Sequence, residues 1–302
     1  MTTTLKARGG MGLKQNWLIS LAACAGLWGI SVPAVEAQAL LPHTLEPNFE
    51  NLEEQGLALA QDAAQLVRFQ QYEAALARAK VATQLAPEAY QTWFIWGSLE
   101  ARNENLEQAL MALKKAHALA PEEPQVLFTL GSAYFQQGNY EQAIQALKAG
   151  LDLEPDSPEA LFDMGNAYLK QGDYDSAIAS YEKSIDLEEG FWPAINNIGL
   201  IEYEQGKLDA AVEKWRVAAE IAENATEPQL AIAVALYHQG NRQEAIAMGK
   251  NALSSDSRYA SLEFLEKNLW GEKLLADTED FFTSPVMEAT LSRLQINPPD
   301  QQ

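Results

Sequence analysis

The chain has 302 residues, 47% of them hydrophobic, which allows a sizeable buried core in one or two domains. Its 42 acidic against 21 basic residues give a net charge of −21. A surface that acidic repels a phosphate backbone, which argues against nucleic acid as a partner. A single cysteine, Cys24, rules out an intramolecular disulfide.

The amino terminus reads as a targeting segment. Lys6, Arg8 and Lys14 are its bases, and the rest of the chain carries 18 basic against 42 acidic residues, a net of −24. Residues 15–35 contain no charge, and Pro33 and Ala37-Gln38-Ala39 follow. A basic start, an apolar run and a small-x-small ending make a secretory signal. Three fates fit. Cleavage after Ala39 would release the chain. Retention would anchor it, since residues 17–35 approach the roughly 20 that cross a bilayer. Lipid attachment at Cys24 in "LAAC" is the third, although the apolar run continues past it. In each case the flanking positive charge stays cytoplasmic and the bulk of the chain lies on the other side of the membrane. Residues 1–39 are therefore expected to be a signal peptide or anchor, and residues 40–55, with Pro42 and Pro47, a linker.

From residue 56 the sequence repeats. Ala63, Gly97, Gly131, Gly165, Gly199 and Ala233 are each 34 residues apart, as are Ala75, Ala109, Ala143, Ala177, Ala211 and Ala245. Gly138, Gly172, Gly206 and Gly240 share the step, and so do Pro87, Pro121 and Pro155. Six units follow without insertion: 56–89, 90–123, 124–157, 158–191, 192–225 and 226–259. Within each, apolar residues recur at three and four, as amphipathic helices require. The glycine of "QGNYEQA" or "QGDYDSA" can take positive φ and end the first helix. Asn139 and Asp173 suit the start of the second. The second-series alanine must be small because paired helices approach closely there. Proline closes a unit where no helical N–H is needed. No unit can bury its apolar face alone, so the units must stack into one continuous core.

The unit from Pro124 shows Leu127, Leu130-Gly131, Tyr134, Ala143, Leu147, Gly150 and Pro155. On these residues the chain resembles the tetratricopeptide repeat (TPR) family over 56–259. The resemblance implies an all-α fold, a right-handed α-solenoid of six TPR helix pairs. The units at 56 and 226 are the most degenerate, which suits terminal repeats. After Asp256 the period stops. Residues 258–282 read as a capping helix to Trp270, a break at Gly271 and a second short helix. Ser284 is placed as an N-cap with Pro285 at the first helical position. The helical cap is expected over 260–295, covering the apolar end of the last repeat, with a disordered tail at 296–302. The stretch "NLWGEKLLADTEDFF" also resembles the carboxy-terminal region of Pitt-like TPR proteins of cyanobacteria and chloroplasts. That likeness implies a role in thylakoid biogenesis and pigment–protein assembly, with the chain in a thylakoid lumen or periplasm.

The TPR resemblance further implies a scaffold that binds proteins, and the residues themselves offer no cofactor, metal or catalytic motif. First helices of such folds line a concave groove through their second, fifth, ninth and twelfth positions, with some contribution from the sixth. Carried onto this chain, the groove comprises Phe94, Phe128, Phe135, Phe162, Asn166, Leu169, Asn197, Leu200, Tyr203 and Tyr237. The same rings could instead pack on adjacent repeats, as aromatic stripes at helical spacing do. Some TPR domains clamp a terminal carboxylate with basic residues at the fifth, second and sixth positions. Here Phe128 and Phe162 hold the fifth, with Gln125, Glu159 and Glu227 at second positions, so that recognition is not supported. Asn166 and Asn197 remain and could hold a ligand backbone. An apolar helix or extended segment laid in the groove is the expected partner, with the amino-terminal segment supplying membrane association. The alternative is a periplasmic accessory of envelope biogenesis or secretion that docks an enzyme. His43, His117 and His238 are far apart, and no HExxH, P-loop or nucleophile elbow occurs.

Overall fold

A computed structural model describes residues 49–296; the expected signal or anchor over 1–39 lies outside them, as does the expected 296–302 tail except Ile296, which ends the last helix. Six antiparallel helix pairs follow in chain order: α1 (Phe49–Arg68) with α2 (Tyr72–Leu85), α3 (Tyr90–Arg102) with α4 (Leu106–Leu119), and α5 (Pro124–Gln136) with α6 (Tyr140–Leu153). Then come α7 (Pro158–Gln171) with α8 (Tyr174–Leu187), α9 (Trp192–Glu204) with α10 (Leu208–Ile221), and α11 (Thr226–His238) with α12 (Arg242–Ser255). A 3₁₀ turn (Ser257–Ala260), α13 (Leu262–Lys267), α14 (Glu272–Thr283) and α15 (Pro285–Ile296) complete the described residues. Each helix packs on its pair partner and on the next unit, which is the order of a solenoid.

The repeated small residues mark the closest helix contacts. All six second-series alanines are fully buried. At the first series, a Cβ on Gly97, Gly131, Gly165 or Gly199 would lie 2.5–2.8 Å from Leu113, Leu147, Tyr181 or Trp215 of the facing helix. In the end units both positions are small: Ala63 and Ala233 stand opposite Ala79 and Gly249. In the last unit the volume missing at Gly249 is supplied by Phe281, whose ring lies 2.6 Å from where a Cβ would stand.

Gly138, Gly172, Gly206 and Gly240 all have positive φ, 77–91°, and turn the first helix into the second. In the first two units the same corner is made by Gln70 (φ 58°) and Glu104 (φ 60°), where a side chain is disfavoured by roughly 1–2 kcal/mol. Replacing Glu104 by Gly is expected to raise stability by about 0.5–1 kcal/mol after the added chain entropy is counted, readable as a shift in urea midpoint. Asp173 caps α8 by accepting from Ser176 N–H at 3.2 Å. Asn139 does not cap α6, since its side chain bonds Gln137 instead.

Three expected boundaries change. The linker is not unstructured to residue 55, because α1 already begins at Phe49, two residues after Pro47. The single cap helix to Trp270 is a 3₁₀ turn followed by the short α13, stopped where Leu269 adopts φ 69°. Ser284 makes no side-chain cap: its hydroxyl donates back to the Phe281 carbonyl at 2.7 Å.

Candidate functional site

The first helices α3, α5, α7, α9 and α11 carry the fifth, ninth and twelfth positions that sequence assigned to a groove. The phenylalanine ladder there is half-buried and fitted into the scaffold. Phe128 lies over Gly150 of its own unit, where a Cβ would come within 2.5 Å of the ring. Phe162 packs on Tyr181 and Phe191, with ring centroids 5.7 and 5.4 Å away. Phe94 joins the cluster of Leu110, Leu113, Leu130, Ala133 and Ala146. Phe135 pairs with Tyr140 at the helix turn, centroids 5.5 Å apart. These rings therefore pack within the solenoid, and each keeps only part of its surface exposed. Leu169 is likewise half-buried.

Asn166 and Asn197 do not stand free for a ligand backbone. Asn166 Oδ1 accepts from Tyr181 OH at 2.7 Å and from Asn197 Nδ2 at 3.0 Å, while Asn197 Oδ1 accepts from Asn196 Nδ2 at 3.0 Å. All three amides are buried, so their polar atoms need these partners. Burial also pushes the Tyr181 hydroxyl well above its ordinary range. On the neighbouring unit, Ser132 donates to Asp163 Oδ2 at 2.6 Å, and burial still holds that carboxyl above the usual range.

The row continues into Glu227. Trp270 Nε1 donates to Glu227 Oε1 at 3.0 Å, and the Asn196 amide and Tyr259 hydroxyl lie alongside. Desolvation raises this carboxyl to about 7, against the pull of those donors. Asn196 Oδ1 is buried with no hydrogen-bond partner. A polar chain thus runs through repeats 4, 5 and 6 to Trp270, in the turn that precedes α14.

The last two units of the groove are already occupied. Helix α14 leaves the solenoid order and packs on α9 and α11. Tyr203 OH donates to Asp277 Oδ2 at 2.6 Å. His238 Nε2 lies 3.6 Å from Asp277 Oδ1 and 3.9 Å from Asp280 Oδ2. The Glu204 carboxylate accepts from the N–H groups of Lys273 and Leu274 at 3.1 and 2.9 Å, satisfying the first turn of α14 where the helix dipole favours negative charge. Tyr237 meets Phe281, centroids 5.2 Å apart, and Phe281 enters the slot left by Gly249. Leu200 and Tyr203 are each only 1% exposed as a result of this docking and of core packing. As free groove residues they are corrected: they belong to an internal interface, and Tyr237 borders it.

Sequence reasoning missed Glu204, Glu227, His238 and Gly271 as members of this interface. Gly271 alone carried a signal, read as a helix break; a Cβ there would fall 2.3 Å from Glu204 Cδ. Among the described residues no group of three or more His, Cys, Asp or Glu could hold a metal ion, and no helix is long and apolar enough to cross a membrane.

Paired helices of 34-residue period with glycine or alanine at the close contacts define a repeat solenoid built to present one continuous face. Two family comparisons match within it: "TPR repeat" over residues 131–172 and "Tetratricopeptide repeat" over residues 158–191. The chain is a tetratricopeptide-repeat protein, and its fold is that of a protein–protein interaction scaffold. No curated protein matches it. Solved structures similar to it include MamA, 26% identical over 54% of this chain and 96% of that one, with a TM-score of 0.48. TTC0263, described as a thermophilic TPR protein in Thermus thermophilus, is 22% identical over 60% and 99%, with a TM-score of 0.51. Pseudomonas aeruginosa pilF is 18% identical over 72% and 98%, with a TM-score of 0.59. The last two share the fold, and at those identities the likeness extends no further.

Proposed function

We propose that this chain is an exported scaffold, not an enzyme, that holds an apolar segment of a protein partner against the concave face of its second to fourth repeats while a membrane complex is assembled. The observation that carries this reading is the contrast along the groove. Helix α14 packs on α9 and α11, whereas α3, α5 and α7 keep exposed Gln91, Gln125 and Glu159 beside half-buried Phe94, Phe128, Phe135 and Phe162. Half-buried rings flanked by two amides and a carboxylate suit a segment that offers apolar side chains and backbone N–H groups together. Export rests on the basic start, the uncharged run of residues 15–35 and the Ala37-Gln38-Ala39 ending. A thylakoid setting rests on the likeness of residues 268–282 to Pitt-like proteins.

A photoreactive residue at Gln125 is expected to cross-link a partner in a native membrane extract, whereas one at Glu182 on α8 is not. A subunit of a membrane complex among the products supports the assembly role; a soluble enzyme in its place redirects the reading to an envelope accessory. Equal cross-linking from both positions would remove the groove from consideration. Amino-terminal sequencing of the native protein should begin at Leu40 after cleavage and at Met1 if the segment is retained.

A further inference from the structure

Helix α14 lies on α9 and α11 of the fifth and sixth repeats, so the chain itself shows what that face accepts. We propose that this face is a receptor for an amphipathic helix carrying two carboxylates and an aromatic ring in the pattern of Asp277, Asp280 and Phe281, that α14 is its resident occupant, and that a partner helix of the same pattern displaces α14.

The seat is built for such a helix from both sides. Tyr203 and His238 face the two aspartates of α14, and Tyr237 faces its aromatic ring. Glu204 receives the helix start through two backbone N–H groups, which any helix can supply. In the fifth repeat the facing position is filled by Trp215; in the sixth it is Gly249, and Phe281 fills the gap from outside the repeat, its Cζ within 2.6 Å of where a Cβ would stand. The sixth repeat is therefore complete only when an aromatic side chain from another segment enters it. This is a specific pocket for an incoming ring, as well as a covered end.

The connection to α14 is strained at one residue and pinned at the next, where Trp270 is buried against Glu227. Leu269 holds φ 69°, a left-handed conformation that strains a leucine, directly before Trp270 and Gly271. Beside this turn a cavity of about 500 Å³ opens between the end of α7 and α14, with Leu169, Leu200, Leu269 and Leu275 in its walls. Lys170, Glu204, Glu266 and Glu272 share those walls, so an incoming amphipathic helix finds a mixed polar and apolar foothold next to the seat before α14 leaves it. Being tethered, α14 competes at a high effective concentration, so the seat reads as closed until a matching helix arrives or the resident is weakened. This proposal is independent of what binds to the second, third and fourth repeats.

The test uses the full chain and a labelled peptide with the sequence of residues 271–284, the resident helix itself. Asp277→Ala with Phe281→Ala weakens the resident, empties the slot beside Gly249 and keeps every receptor side chain, Tyr203, Tyr237 and His238 included. This variant is expected to bind the peptide at least about tenfold more tightly than the unaltered chain, by fluorescence anisotropy, because the tethered competitor is weakened. Adding Tyr203→Phe and His238→Ala should remove most of that gain. No peptide binding to the variant overturns the proposal. A concentration-dependent dimer without peptide binding also overturns it, since the seat would then serve a second copy. Because the substituted chain could fail to fold, hydrogen exchange on the unaltered chain decides separately. Amides of α14 should exchange at least about tenfold faster than those of α9 and α11, and equal protection of the three helices would show that α14 never leaves its seat short of global unfolding.

Discussion

Trp215→Ala is expected to destabilise the chain by about 3–5 kcal/mol, the cost of deleting a large buried ring. The indole is fully buried, stacks near Tyr203 with centroids 5.6 Å apart, and donates to the Asn196 carbonyl at 3.1 Å. The loss should appear in urea unfolding, and hydrogen exchange should place it in the fifth and sixth repeats, because each repeat touches only its neighbours. Gly199 provides the control. A Cβ there would lie 2.6 Å from the indole Nε1, so Gly199→Ala alone should cost about 1–3 kcal/mol by overpacking. With Trp215→Ala already present, Gly199→Ala should cost almost nothing. Additivity of the two losses would mean that the pair is not coupled.

Glu227→Gln is expected to stabilise the chain above pH 7 and to leave it nearly unchanged at pH 4. Burial raises the carboxyl from 4.5 to about 7, so the folded state holds a proton that the unfolded state has released. The stability this group contributes is complete below about pH 4.5 and is lost as pH rises through about 7, amounting to about 3 kcal/mol on the alkaline side. Gln keeps a carbonyl for Trp270 Nε1 and adds an amide donor beside the unpaired Asn196 Oδ1. The measurement is the difference between the two unfolding free energies across pH 4–8, which cancels the other acids. A flat difference would show that the Glu227 site admits enough water to ionise normally. Because Trp270 opens the segment that leads into α14, the same titration should loosen that helix at alkaline pH, visible as faster exchange of its amides.

The solenoid was legible because its signals are local and repeated. The 34-residue spacing of Gly131 with Ala143, and of their equivalents in five other units, reports helix contacts made within one unit and its neighbour. The glycines at the helix corners announce positive φ by themselves, and four of them have it. The groove residues were harder to place. Phe94, Phe128 and Phe162 share one slot in the period, yet a slot does not say how deep a ring sits. That depends on the opposite side chain, as Gly150 beneath Phe128 shows. Asn166 and Asn197 have the right register for a ligand, but Tyr181, a non-repeating choice across the interface, takes up the Asn166 oxygen.

Sequence by itself determined the helix pairs, their number and their order, because apolar periodicity and small-residue contacts act over a few residues and recur. Tertiary structure alone decided which part of the concave face stays open. The docking of α14 joins Phe281 to Gly249 and Asp277 to Tyr203, across 32 and 74 residues and outside any repeat. Such a contact has no period to betray it. Its energy comes from the fit of one ring to one gap and one carboxylate to one hydroxyl, and those appear only when the chain is folded.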